Sequence, residues 1–213
     1  MFDRLHLIGN DEYSPKRILD VGAHLGNFAK ECKALWPAVE MHLFEANPNA
    51  EDVLKTLGYD YHITLLTDKV GEDYTYYMTN KWLLSSGNSI YRENTSEFDD
   101  AHMTSIKLTS NTLDNILGDI GFVDLLKLDT QGSELKILNG ATQIIKKTKY
   151  VLIECSVYEY NLGGCTIGDV FQYMTEKGFA LKDVLDISYL QDGLILNQMD
   201  LLFENKNYVN SNS

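Results

Sequence analysis

The sequence predicts an α/β fold in which a mostly parallel, doubly wound sheet is built by alternating strand and helix. Three observations carry this. Short apolar runs recur with helix-length segments between them, the first run closes on a glycine loop, and an acid stands at the end of each of the first three runs.

Residues 17–22 (RILDVG) read as a buried strand ending in glycine. A helix runs from Asn27 to Leu35 and stops near Pro37. Strand 40–45 (EMHLFE) follows. Asn47 then caps a helix with Pro48 at its first position and Gly58 at its end. Residues 59–67 (YDYHITLLT) complete a βαβαβ unit. The stretch 70–110 breaks the rhythm. Its Tyr- and Thr-rich pieces, DYTYYMT and SIKLT, flank a polar loop, which makes it a small insertion of short strands and a mobile loop. A helix at 111–118, a strand at 122–129 (FVDLLKLD), a helix from Ser133 and a strand at 149–155 (KYVLIEC) resume the pattern. Thr166 and Asp169 have capping-box spacing for a helix ending at Gly178. Apolar runs at 179–187 and 193–204, joined through Gln191, Asp192 and Gly193, make a closing antiparallel hairpin. The expected whole is a seven-stranded sheet in a single domain over 1–213, with its core at 17–204 and a polar tail at 205–213.

Charge narrows the partners. Acids outnumber bases 31 to 18, for a net charge of −13. That balance speaks against nucleic acid, whose phosphates demand Lys and Arg, and against an anionic membrane surface. No apolar run approaches the ~20 residues of a membrane span. The N-terminal stretch lacks the basic-then-apolar pattern of a signal peptide. Cys32, Cys155 and Cys165 are odd in number and without C-x-x-C spacing, as free thiols in a reducing compartment are. A cytoplasmic location is the expectation.

The glycine loop Asp20-Val21-Gly22-Ala23-His24-Leu25-Gly26-Asn27 disfavours a nicotinamide dinucleotide without excluding it. A dinucleotide fingerprint beginning at Gly22 needs glycines where His24 and Asn27 stand, and the first of these is the position that admits a pyrophosphate. The spacing suits a ligand with an amino-acid portion in place of a pyrophosphate. Glu45, with Ala46 beside it, ends the second strand, where a carboxylate accepts from ribose hydroxyls. Asp68 ends the third and is placed to accept from an adenine amino group, with a helix cap or solvated loop as its plainer role. Together these outline a site for adenosine joined to an amino acid.

The segment Val123 to Leu135 (VDLLKLDTQGSEL), continuing KILNGA, is the most distinctive in the chain. It resembles the FkbM-type methyltransferase family, whose members carry a strand-ending K-I-D-x-E/Q-G-x-E-x-x-x-L-x-G-A pattern. DVGAHLG, FEAN around Glu45, TLDNIL, VLIE ending at Glu154 and the terminal DLLFEN follow in the family's order, over about residues 17–204. His24 and Gln131 stand where many members have Asn and Glu, and Gln131 cannot ionise. The resemblance implies a Rossmann-like class I methyltransferase fold with S-adenosylmethionine as cofactor. Its expected contacts are Asp20, Gly22, Ala23, His24, Gly26, Asn27, Glu45, Ala46, Asp68 and Asp129.

Methyl transfer from a sulfonium needs donor and acceptor held in line and, for a hydroxyl acceptor, a base. Asp129 is the expected base or acceptor-orienting group, with Glu134 and Glu154 converging on it. Glu134 has a structural alternative, satisfying amides at a helix N-terminus, and Glu154 one as a loop anchor. Converging carboxylates also permit a divalent metal, but none is implied by the resemblance, and the five histidines show no ligand spacing. Trp82, Asn88, Ser89, Tyr91 and Gln131 are the expected acceptor contacts, the aromatic rings stacking on a sugar face. The leading expectation is O-methylation of a hydroxyl on a sugar, glycan or related small molecule. A non-catalytic adenosine-binding module and a nicotinamide-dependent oxidoreductase stay open beside it.

Overall fold

In the computed structural model, residues 2–8, 14–81, 84–94, 101–190 and 194–208 are described. The chain opens with α1 (Phe2–Leu5), then runs β1 (Arg17–Val21), α2 (Asn27–Leu35), β2 (Glu40–Glu45), α3 (Glu51–Lys55), β3 (Asp60–Ile63), β4 (Leu65–Leu66), β5 (Asp73–Thr79) and β6 (Met103–Asn111). It continues through α4 (Leu113–Leu117), β7 (Val123–Leu128), α5 (Glu134–Asn139), β8 (Thr148–Ser156), α6 (Ile167–Glu176), β9 (Phe179–Leu190) and β10 (Ile195–Asn205). The main sheet has the order β3-β2-β1-β7-β8-β10-β9. The pairs among its first five strands are parallel, and β10 is antiparallel to both neighbours. This is the expected seven-stranded sheet with a closing hairpin.

Period-two alternation gives the sheet two apolar faces. Leu19, Val21, Leu126, Leu128, Val151 and Ile153 face one core, under α5 and α6 through Ile137, Leu138, Val170 and Met174. Ile18, Leu43, Leu125 and Leu152 face the other, under α2 and α3 through Phe28, Ala29, Cys32 and Leu54. Central strands buried on both faces explain why these segments read as nearly continuous apolar runs. Local signals set the helix ends. The Asn47 side chain accepts from Asn49 N at 3.0 Å, though the turn it starts is first a 3-10 helix, Pro48–Ala50, and only then α3. At the head of α6, the Thr166 amide and hydroxyl both donate to Asp169, at 2.8 and 2.7 Å.

The expected strand 59–67 is two strands. After Ile63 the chain turns at Thr64, whose N–H donates to the Glu45 carbonyl at 2.8 Å, and β4 leaves the main sheet. It pairs in parallel with the end of β6, which is antiparallel to β5, forming a second sheet of order β4-β6-β5. Leu65, Tyr76 and Met78 form its own small core, packed by Ala46, Ile90, Ile106 and Leu108. The expected insertion at 70–110 thus supplies β5 and most of β6 of this sheet, while β4 comes from the segment before it. Trp82 and the hairpin loop 191–193 lie outside the described residues.

The order of the main sheet reverses direction at β1 and β7, and crevices at such switch points, beyond the carboxyl ends of strands, hold ligands in α/β folds. Among the described residues no helix is long and apolar enough to cross a membrane.

Candidate functional site

The carboxyl ends of β1, β2 and β7 meet at the glycine loop. Gly22 N and Ala23 N both donate to the Phe44 carbonyl, at 2.9 and 3.0 Å. Gly22 has φ +77°, and a Cβ there would stand 1.8 Å from the Asp129 carbonyl oxygen. Only glycine fits so close a backbone approach. Gly26 also has positive φ, but a Cβ on it would strike Leu57, so this glycine lets α2 pack and does not line the cavity described below.

Glu45 is 7% exposed, and its carboxylate is fixed by two backbone amides: His24 N donates to Oε2 and Asn47 N to Oε1, each at 2.7 Å. Burial lifts its pKa above the usual carboxylate range, against the pull of those amides. His24 adopts φ +50°, which turns its N–H toward Glu45. Its ring meets the Leu84 carbonyl at 2.7 Å from Nε2, and a carbonyl only accepts, so Nε2 carries the proton.

Beneath the loop lies a charge triad that the sequence reading missed. Lys127 is 4% exposed in the centre of β7, in register with Asp20 of β1. Its Nζ stands 3.2 Å from Asp20 Oδ1, 3.2 Å from Asp129 Oδ2 and 3.2 Å from the Gly22 carbonyl, and 5.4 Å from the centre of the Phe28 ring. Burial disfavours the ammonium, but Asp129 and Asp20 together outweigh it and hold Lys127 above its ordinary pKa. Asp20, fully buried, is raised by desolvation and lowered in part by Lys127. The available signal was the lone cation inside an apolar strand, VDLLKLD.

The turn from β7 to α5 is organised by Glu134. Its Oε1 accepts from Thr130 N at 2.8 Å, Thr130 Oγ1 at 3.1 Å and Gly132 N at 3.2 Å, while the Cys165 thiol donates to Oε2 at 3.2 Å. Gln131, at φ +55°, donates from Nε2 to Asp129 Oδ1 at 3.3 Å and to Glu154 Oε2 at 2.6 Å. Gln198 donates to the same Glu154 oxygen at 3.1 Å. Glu154 is pushed well above the usual carboxylate range by burial and by Asp129, Asp200 and Glu134. Asp200, its partner across the β8–β10 register, is raised to about 7, chiefly by burial.

A cavity of about 300 Å³ opens above these groups. Of the residues expected at the cofactor and acceptor, Gly22, Ala23, His24, Asn27, Glu45, Ala46, Asn88, Ser89 and Asp129 line it. Lys127, Thr64, Leu65, Leu66, Tyr76 and Ile90 line it as well, without having been anticipated. Asp20 lies behind Lys127. Asp68 is paired with Lys136 at 3.2 Å and is outside the lining, as are Glu134, Glu154, Gln131 and Tyr91. Tyr91 packs on Gly132 and Gly163. Ser89 Oγ donates to the Gln131 carbonyl at 2.9 Å, tying the loop over the cavity to the β7–α5 turn. Asn88 is 7% exposed, and neither polar atom of its side chain has a hydrogen-bond partner among the described residues. No group of three His, Cys, Asp or Glu side chains among them is placed to hold a metal ion.

The model of the methyltransferase FkbM domain matches residues 20–181, most of the chain and every residue that lines the cavity. The chain belongs to the FkbM methyltransferase family. Among solved structures, this FkbM protein is similar to methyltransferase FkbM from Methylobacillus flagellatus KT. The TM-score is 0.54 at 13% identity, over 88% of this chain and 44% of that one. It therefore spans less than half of the Methylobacillus protein. It is also similar to TrmK of M. capricolum in complex with S-adenosyl-homocysteine (TM-score 0.51, 10% identity, 100% of this chain and 70% of that one). A third is the plantazolicin methyltransferase BpumL in complex with SAH (TM-score 0.51, 10% identity, 94% of this chain and 79% of that one). At these identities the likeness is one of fold. No curated protein matches the sequence.

Proposed function

We propose that this FkbM-family chain is a cytoplasmic S-adenosylmethionine-dependent methyltransferase that methylates a hydroxyl of a sugar, glycan or related small molecule. The observation that carries the reading is the division of one cavity into two unlike polar ends. Glu45, held by the His24 and Asn47 amides, offers a fixed acceptor edge for a ribose diol. Lys127 and Asp129, backed by Asp20, offer paired charges for the zwitterionic end of an amino acid. Gly22 and Ala23 let the backbone come close between them. The donor set fits the cofactor, and the S-adenosyl-homocysteine held by TrmK and BpumL supports the same assignment. When bound, S-adenosylmethionine supplies an electrophilic methyl group on a sulfonium.

The chain's own residues then have separable tasks. Asp129 faces the cavity with one oxygen turned to Lys127 and the other to Gln131, and it accepts the acceptor's proton or orients its hydroxyl. Gln131 joins Asp129 to Glu154 and fixes the direction of both. Glu134 positions the turn through Thr130 and Gly132 and lies behind the reacting region. His24 stands where a dinucleotide site needs a bare backbone, which disfavours a nicotinamide cofactor.

The test is calorimetric titration with S-adenosylmethionine, S-adenosylhomocysteine and NADH in parallel. The first two bind, NADH does not, and Glu45→Ala abolishes binding. Absence of binding by both sulfur compounds would overturn the cofactor assignment. Product analysis with hydroxylated and amino acceptors then separates O- from N-methylation.

A further inference from the structure

We propose that residues 84–90 form a strap over the cavity, latched by the His24 side chain, and that opening of this latch governs passage of the cofactor into and out of the site. The inference rests on the cofactor assigned above. Ser85, Ser86, Asn88, Ser89 and Ile90 share the lining of the cavity with the ends of β1, β2 and β7.

The two halves of the strap are held unequally. The second half is riveted in place. Tyr77 and Ser89 exchange N–H···O bonds of 2.7 and 3.2 Å, the Tyr76 hydroxyl donates to the Asn88 carbonyl at 3.4 Å, and Ser89 Oγ donates to the Gln131 carbonyl at 2.9 Å. The first half is small and polar, and Gly87 N turns back on Ser85 Oγ at 3.3 Å, within the strap itself. Among the described residues, this half is tied to the body of the protein at Leu84. The Leu84 side chain rests against the core under α2 and α3, and its carbonyl accepts from His24 Nε2 at 2.7 Å.

The backbone marks the same two anchors. His24 and Gln131 are the non-glycine residues with positive φ among the described residues, at +50° and +55°. Side chains seldom occupy this region unless surrounding contacts hold them there, and such strain gathers at clamps and switches. Both residues also serve the site: His24 N donates to Glu45 at 2.7 Å, and Gln131 Nε2 donates to Asp129 at 3.3 Å. His24 thus carries both the carboxylate assigned to the ribose and the latch. A cofactor seated on Glu45 steadies the residue that shuts the strap over it. Closed, the strap keeps water from the sulfonium and retains the cofactor for the acceptor.

The experiment follows S-adenosylhomocysteine binding by stopped flow on the wild type and on His24→Asn. Asparagine accepts the left-handed backbone and keeps the amide on Glu45, but its side chain is too short for the Leu84 carbonyl. Wild-type association levels off as ligand concentration rises, at the rate of strap opening. In His24→Asn the plateau and the dissociation rate both rise about 5-fold or more, the worth of one lost hydrogen bond, while Kd moves by less than about 3-fold. Nitrogen-15 relaxation of the unliganded protein gives a reading that needs no ligand: residues 84–87 lose order in the variant, and Tyr77 and Ser89 keep it. A contact made to the ligand alone would raise dissociation and Kd together and leave the plateau and the unliganded order unchanged. That result, or wild-type association that climbs in proportion to ligand throughout, would overturn the latch. Should circular dichroism show that the variant is unfolded, the wild-type concentration dependence decides alone. Failure of the wild type to bind S-adenosylhomocysteine would overturn the cofactor reading, whereas unchanged order at 84–87 in the variant would overturn the latch by itself.

Discussion

Replacing Lys127 with methionine keeps the length of the side chain and deletes its charge. The lost ammonium lies 3.2 Å from both Asp20 and Asp129. Asp129 keeps 31% of its side chain exposed, so water compensates there, but Asp20 is fully buried and nothing replaces the ion pair. Removing one partner of a buried pair costs about 3–5 kcal/mol, against a total stability of about 5–15 kcal/mol for a domain. The loss has a pH signature. In the wild type, Lys127 has a folded pKa above its ordinary value, so its contribution is fully present throughout the neutral range and is lost only at high pH. Asp20 is the reverse case. Its folded pKa is already raised by burial, and without Lys127 it rises further. A raised carboxyl favours folding below its unfolded value of ~3.9, and that advantage is lost as pH climbs through the folded value. The deficit of Lys127→Met relative to wild type is therefore larger near about pH 8 than near about pH 5. Urea denaturation at the two pH values measures it, and adding Asp20→Asn recovers more than half of the deficit at the higher one. Equal deficits at both, with no recovery from Asp20→Asn, would refute the reasoning.

Four further outcomes follow from the same structure. Gly22→Ala forces a Cβ onto the Asp129 carbonyl and a strained φ, so it lowers stability by about 2 kcal/mol or more and abolishes S-adenosylhomocysteine binding in calorimetry. Glu45→Gln weakens that binding about 10-fold through loss of charge-assisted hydrogen bonds. Wild-type affinity also falls as pH drops toward the raised Glu45 pKa, and titrations across pH show that fall only in the wild type. Asp200→Asn removes a carboxyl whose pKa is raised to about 7. It stabilises the protein by up to about 4 kcal/mol above neutral pH, a gain that fades as pH falls toward ~4, read by chemical denaturation. Thr166→Ala breaks the capping box of α6 and costs about 1 kcal/mol, seen as a lowered melting temperature.

Most of the main sheet was legible because its signals are local. A strand buried on both faces is apolar along most of its length, and Asn47, Pro48 and Thr166 each answer a backbone need within a few residues of themselves. The errors lie where distant chain decides. The run 59–67 looks continuous, yet Thr64 bonds back to Glu45 and sends Leu65 and Leu66 to pair with Ser110 and Asn111. Lys127 stands out in the sequence as a lone cation inside an apolar strand, and only the register with Asp20 makes it the centre of the site. Asp68 ends its segment as a ligand acid would, but Lys136, on α5, claims it. Glu134 reads equally as an acid for chemistry or an acceptor for amides, and the conformation of the turn at Thr130–Gly132 determines which donors reach it.

The corner at Thr64 makes one short segment serve two sheets. Leu65 and Leu66 are at once a strand of the small sheet and a wall of the cavity, so the small sheet cannot tilt without moving that wall. A load placed on the outer sheet and a molecule seated in the cavity would therefore act on the same two residues. Any preference the first shows for one tilt is repaid, by thermodynamic reciprocity, as an equal change in affinity for the second.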